Sequence, residues 1–201
     1  MARTRAENFD DIRDAILDAA ASLFAGKGFR DTNIIDIGQA CGASKSRMYH
    51  YFPSKEAMLE EMLVQHVDGL VERARAIAAE DRPPQEALRE YLRLHLRYYY
   101  ERLDRHKVLL EDARCLGADA QQRLRDAELD LMNILAAMLK RLNPTKFGSR
   151  HLASAHAMLI YGMLNWTHTW YKPSGKLGLD LMADEAAAFC LHGVSPSPPP
   201  A

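Results

Sequence analysis

Between Gly42 and Lys55 the chain carries Lys45, Arg47 and Lys55 and no acidic residue, interleaved with Ser44, Ser46, Tyr49 and His50. Basic groups and short or aromatic hydroxyls at this density can reach phosphate oxygens and base edges. The formal net charge of the whole chain is −1, so this positive patch is local, as a reading surface on a near-neutral protein would have to be. Helix starts expected near Thr32, Ser44 and Ser54 add backbone N–H groups that favour phosphate.

A second group of chemically capable residues lies in Leu92–Tyr100, with His95, Arg97, Tyr98 and Tyr99. A third spans Tyr161–Gly175 and holds Tyr161, Asn165, both tryptophans and Lys172. Trp166 and Trp170 are one helical turn apart and share a face. Plain core or dimer packing and a ligand box both fit such an aromatic stripe. Tyr98 and Tyr100 diverge by about 200° around a helix, so at most one or two of the three consecutive tyrosines can meet a ligand.

These groups have to be positioned by helices. Nearly every segment shows apolar residues at three- and four-residue steps, and no alternating strand or hairpin signal occurs. The spacing predicts helices over about 10–25, 34–41, 44–51, 55–80, 84–102, 104–116, 119–142, 149–170 and 179–192. Asn33 with Asp36 has the form of a capping box, Gly42 closes the second helix, and Pro53 ends the third. Ser54 and Ser149 are expected to cap the helices that follow. Two short helices joined by Cys41-Gly42-Ala43 are marginal alone and need the first helix over them, which is the helix-turn-helix plan. The expectation is an all-α chain of about nine helices. Residues 1–55 form a DNA-binding domain, ordered from about 10. A ligand-binding and dimerisation bundle covers 56–194, and 195–201 is a Ser/Pro-rich disordered tail.

No apolar run approaches the ~20 residues of a membrane span, and the first residues lack the apolar core of a secretory signal. Cys41, Cys115 and Cys190 fit neither a disulfide framework nor a metal pair, which suits a cytoplasmic chain with reduced thiols. The histidines form no H-E-x-x-H motif, and G-x-S-x-G and a phosphate-cradling glycine loop are both missing. No enzyme, resident cofactor or metal site is expected.

The segments Ile16–Ala20, Leu23-Phe24, Gly28-Phe29, Thr32, Ile37 and Cys41–Ser44, then Tyr49–Phe52 and Ser54–Glu56, resemble the DNA-binding domain of the TetR family of bacterial repressors. The resemblance runs over about 45 residues in one register. It implies phosphate contacts for Thr32, Tyr49, His50 and Lys55, and contacts to bases or adjacent phosphates for Lys45, Ser46 and Arg47. Tyr49 read from its neighbours alone can also be a core aromatic. Gly38 stands where the family usually has alanine, a change expected to soften the second helix.

The pattern N-W-x-x-x-W-Y-x-P-x-G-x-L resembles the subgroup of these repressors that respond to acyl-CoA thioesters. That resemblance implies tryptophan and tyrosine in a pocket, with Arg97, Arg114 or Lys172 for the CoA phosphates. It also implies a homodimer through the last two long helices, a palindromic double-stranded operator and release by a small-molecule effector. The alternative is a small-molecule-binding helical protein that never reads DNA.

Overall fold

The computed structural model describes residues 2–194, with side chains over 9–192; the tail expected at 195–201 lies outside them. Nine α-helices and one short 3-10 turn make up the described residues: α1 (Ala2–Lys27), α2 (Ile34–Ala40), α3 (Lys45–Tyr51), α4 (Lys55–Ala79), α5 (Pro84–Glu101), α6 (Leu103–Asp112), α7 (Ala118–Leu142), α8 (Arg150–Trp170) and α9 (Leu179–Val194), with the 3-10 turn at Ala113–Cys115. The sequence placed these elements to within a few residues, apart from the start of α1, which lies eight residues earlier. The Ala, Arg and Glu of the added turns are good helix formers.

Packing divides the described residues into 2–67 with 102–124, and 68–101 with 125–194. In the first unit α1 lies against α6 and α2, and α2 against α3. Ile16, Leu17, Phe24, Ile37, Met48, Phe52 and Leu59 are fully buried there, each contributing roughly 1.5–3 kcal/mol of apolar transfer. Arg105 of α6 ties back to α1, its Nη2 donating to Asp18 Oδ1 at 2.7 Å. The Asp112 carboxylate accepts from the Phe29 amide at 3.4 Å.

In the second unit α5 packs most closely on α9. Pro84 opens α5, where a missing N–H loses nothing. Asn143 ends α7, and its side chain accepts from the Lys146 amide at 3.0 Å. Ser149 sits at the start of α8 but makes no capping hydrogen bond, contrary to the sequence expectation. The turn after α8 is closed by Tyr171, whose hydroxyl donates to Leu177 O at 2.9 Å.

The outer face of α8 is apolar. Leu152, Ala155, Leu159, Gly162, Trp166 and Trp170 recur at three- and four-residue steps, and all are exposed. Leu159 is 71% exposed, and Phe189 of α9 73%. Ala153 and Ala157 face the unit's own core instead, so only Ala155 and Gly162 of the small residues on α8 serve its outer face.

Candidate nucleic-acid interface and effector site

The two short helices of the first unit are fixed at every end. Asn33 accepts from the amides of Ile35 and Asp36, and the Asp36 carboxylate accepts in return from the Asn33 amide at 3.1 Å, completing the expected capping box. Lys27 bonds the same carboxylate at 2.6 Å. That contact first, and the Asn33 amide second, hold Asp36 below the usual carboxylate range.

Gly42 takes φ +65, which glycine adopts freely, and turns the chain toward α3. Ala43 N donates to Gly38 O at 2.8 Å. A Cβ on Gly38 would stand 2.8 Å from Ala43 O and 3.2 Å from Met48 Cγ. Glycine here therefore lets the turn close against α2. It is a packing requirement, which stands beside the softening expected from glycine's low helix propensity.

Ser44 caps α3 by accepting from Arg47 N at 3.2 Å. Met48 is fully buried and turns the opposite face of α3 outward. Lys45, Ser46, Arg47, Tyr49 and His50 are all exposed on it; Tyr49 is 49% exposed and so is not a core aromatic. Arg13 pins the far end of α3, its Nη1 donating to Tyr51 O at 2.8 Å and its Nε to Glu61 at 2.6 Å. The result is a capped, anchored helix presenting five polar side chains to solvent.

Two residues expected beside them are engaged elsewhere. The Thr32 hydroxyl, 1% exposed, donates inward to Gly28 O at 2.8 Å. The Lys55 ammonium donates to Phe29 O, Arg30 O and Thr32 O at 2.8, 3.2 and 2.9 Å and lies 4.5 Å from the Phe29 ring centroid. An ammonium has three N–H donors, and these three carbonyls occupy them. Both side chains order the loop before α2.

In the second unit, some of the expected residues meet and others do not. His95 is fully buried, with Nδ1 2.8 Å from Tyr91 O and Nε2 2.9 Å from the Tyr161 hydroxyl. A carbonyl can only accept, so Nδ1 carries a proton. The Tyr161 and Tyr91 hydroxyls bond one another, and Tyr91 Oη lies 2.8 Å from Leu131 O. Tyr99 stands edge-on to His95, 5.9 Å between centroids. Burial pushes His95 down to about 4, partly opposed by its backbone bond. Burial raises Tyr91, Tyr99 and Tyr161. Tyr91 was not singled out from the sequence; its one signal is its position one turn before His95.

Tyr98 points elsewhere, against Gly69, where a Cβ would meet its hydroxyl at 2.7 Å. Arg97 pairs with Asp180 at 2.6 Å. Beside them lies a cleft of about 270 Å³ that also takes in Arg73 and Arg93, two arginines the sequence reading missed. Asn165 Oδ1 is buried without a hydrogen-bond partner. Trp166 and Trp170 are 65% and 52% exposed, so neither lines the interior of the protomer. Lys172 is exposed in the turn after α8. Arg114 belongs to the first unit. Among the described residues, no group of three or more His, Cys, Asp or Glu is placed to hold a metal, and no helix is long and apolar enough to cross a membrane.

Comparison with known proteins agrees with both halves. Residues 16–62 match the model of bacterial regulatory proteins, tetR family, and residues 81–194 match the tetracyclin repressor-like C-terminal domain. A TetR-family transcriptional regulator from Bordetella parapertussis 12822 superposes with a TM-score of 0.85 at 39% identity, over 90% of this chain and 94% of that one. The HTH-type transcriptional repressor KstR2 of Rhodococcus jostii is 28% identical over 195 residues, 91% of each chain. The structure of AibR in complex with isovaleryl coenzyme A and operator DNA has a TM-score of 0.76 at 21% identity, over 89% of this chain and 97% of that one, a likeness of fold alone. The chain belongs to the TetR family of bacterial regulatory proteins.

Proposed function

We propose that this protein is a ligand-responsive transcriptional repressor, not an enzyme, acting in the cytoplasm. It binds a palindromic operator as a homodimer and is released by a small molecule, an acyl-CoA thioester being the effector class favoured by the resemblance of the Asn165–Leu177 sequence pattern to acyl-CoA-responsive repressors and by the likeness of fold to AibR, whose structure holds isovaleryl coenzyme A. Residues 1–55 act as the reading head and 56–194 as the sensing and dimerising body. The observation that carries the reading is α3: a capped, anchored helix whose exposed face is Lys45, Ser46, Arg47, Tyr49 and His50.

Arg47 offers a planar fork suited to a guanine edge, and Lys45 a point charge suited to phosphate. The apolar outer face of α8, with Leu181 and Phe189 of α9, supports a two-fold pairing of protomers. Such a dimer reads half-sites about 34–36 Å apart or a multiple of it. The effector then acts by population shift, favouring a dimer whose heads do not match that spacing.

The test is selection of a binding sequence from random duplex DNA, followed by fluorescence anisotropy with and without a panel of acyl-CoA thioesters. A palindromic site released by one acyl class is the expected result. Absence of any sequence preference would leave a helical small-molecule binder. A selected site that no thioester releases would remove the acyl-CoA assignment alone.

A further inference from the structure

The cleft of the second unit contains donors that no described residue uses. Arg93 and Arg97 stand one turn apart on α5, and their partners Asp184 and Asp180 stand one turn apart on α9, forming a two-rung ladder. Arg97 directs Nε and Nη2 at the single oxygen Asp180 Oδ1, at 2.8 and 2.6 Å, and its Nη1 bonds nothing among the described residues. Arg93 gives Nη1 to Glu90 and Nη2 to Asp184, while its Nε is buried with no partner. Arg73 donates Nη1 to Gly69 O at 2.8 Å, lies over the Tyr98 ring at 5.2 Å, and pairs with no carboxylate among the described residues.

Three guanidiniums converging from two helices suit a tetrahedral oxyanion better than a flat carboxylate, which fills one fork. The volume of about 270 Å³ falls below the ~300 Å³ at which sites for whole drug-sized ligands begin. It holds a head group.

Charge decides how an anion could enter. Glu90 and Glu101 also line the cleft, and with Asp180 and Asp184 four carboxylates face three guanidiniums. An anion cannot simply be added. It can be exchanged, because the α9 carboxylates are the loosely held ones: Asp180 is 67% exposed and Asp184 40%, and exposed ion pairs contribute little.

We propose that this cleft is a phosphoryl-anion site entered by exchange, in which a phosphate takes Arg97 and Arg93 from Asp180 and Asp184 while Arg73 completes its shell. Occupancy then unfastens α9, the helix that carries Leu181 and Phe189, from α5. The inference deepens the ligand-responsive reading by locating the charged end of the effector, but the site is measurable without DNA.

The experiment is isothermal titration of the full chain with coenzyme A and, separately, inorganic pyrophosphate. Arg73→Gln, which breaks no ion pair, is expected to weaken binding about tenfold, the scale of one charged hydrogen bond, with the melting temperature unchanged. Asp180→Asn/Asp184→Asn is expected to tighten binding, although it removes two ion pairs. Binding of both probes makes free phosphate sufficient; binding of coenzyme A alone makes a larger phosphoryl ligand necessary. Binding of neither, unchanged binding in Arg73→Gln, or unchanged or weaker binding in the double variant each overturns the proposal. Loss of operator binding with normal anion binding would count against the regulator and leave the site standing.

Discussion

The five side chains proposed to meet DNA come from seven consecutive residues of α3 and all face water. The polar cluster of the second unit is built in the opposite way. Tyr91 and Tyr161 are 70 residues apart in sequence and meet a histidine that sees no solvent. A reading surface needs only one helix with its back well fixed, so local spacing determines it. A sensing interior needs several helices brought together, and its chemistry is dominated by desolvation, which pushes His95 down and its tyrosine neighbours up. The same distinction separates their failure modes. Damage to the head should abolish recognition and leave the fold intact, whereas damage to the interior should be felt as stability.

The sharpest way to break this contrast is Arg47→Ala. One bidentate base contact is worth ~1–3 kcal/mol, so a dimer losing two should bind its operator about a hundredfold more weakly at an unchanged melting temperature, measured by anisotropy and circular dichroism. A variant that binds normally would deny α3 its role.

Acidity probes the buried histidines of both units. His95 titrates near 4 because of burial. His66 titrates near 3, through burial first and then the charges of Arg105 and Arg102. Both lie below the unfolded value of 6.5, so the unfolded chain binds more protons between these limits. Stability is complete above about pH 6.5 and falls as pH drops toward 4, by about 2 kcal/mol per histidine between pH 7 and 5. Urea unfolding at the two pH values checks this, and His95→Gln should remove its own share of the slope. Equal stability at pH 7 and 5 would mean the histidines are not buried neutral.

The smallest effect sought is a null one. If Lys55 fastens the loop before α2, Lys55→Met should weaken operator binding while the slope of log K against log salt is unchanged, and Lys55→Arg should not restore it, because a planar fork cannot serve three convergent carbonyls. A phosphate contact would instead lower the slope by about one per protomer.

Much of the fold was legible because its signals are local. The capping box at Asn33 and Asp36, the glycine turn at Gly42 and the break at Pro53 each depend on near neighbours. What the sequence did not show depends on contacts outside a helix's own period, whether a few residues away or many. Gly38 looked like a weak point in a helix until the Ala43 carbonyl was found against it. Thr32 and Lys55, phosphate ligands by resemblance, bond carbonyls of residues 28–32 instead. Trp166 and Trp170 share a face as their spacing requires, but spacing cannot say whether that face turns inward. Arg73 and Arg93 gave no signal, since a cleft between helices has no sequence pattern of its own.

The exposed stripe from Leu152 to Trp170, like exposed Phe189 of α9, has a quantitative consequence for the cell. If these residues are covered only when two protomers pair, operator occupancy at low abundance rises with the square of chain concentration. Halving expression then cuts the active species about fourfold by mass action. The amount of this protein becomes an input to the promoter alongside any effector, and a substitution such as Phe189→Glu would silence it at low abundance without touching either DNA or ligand.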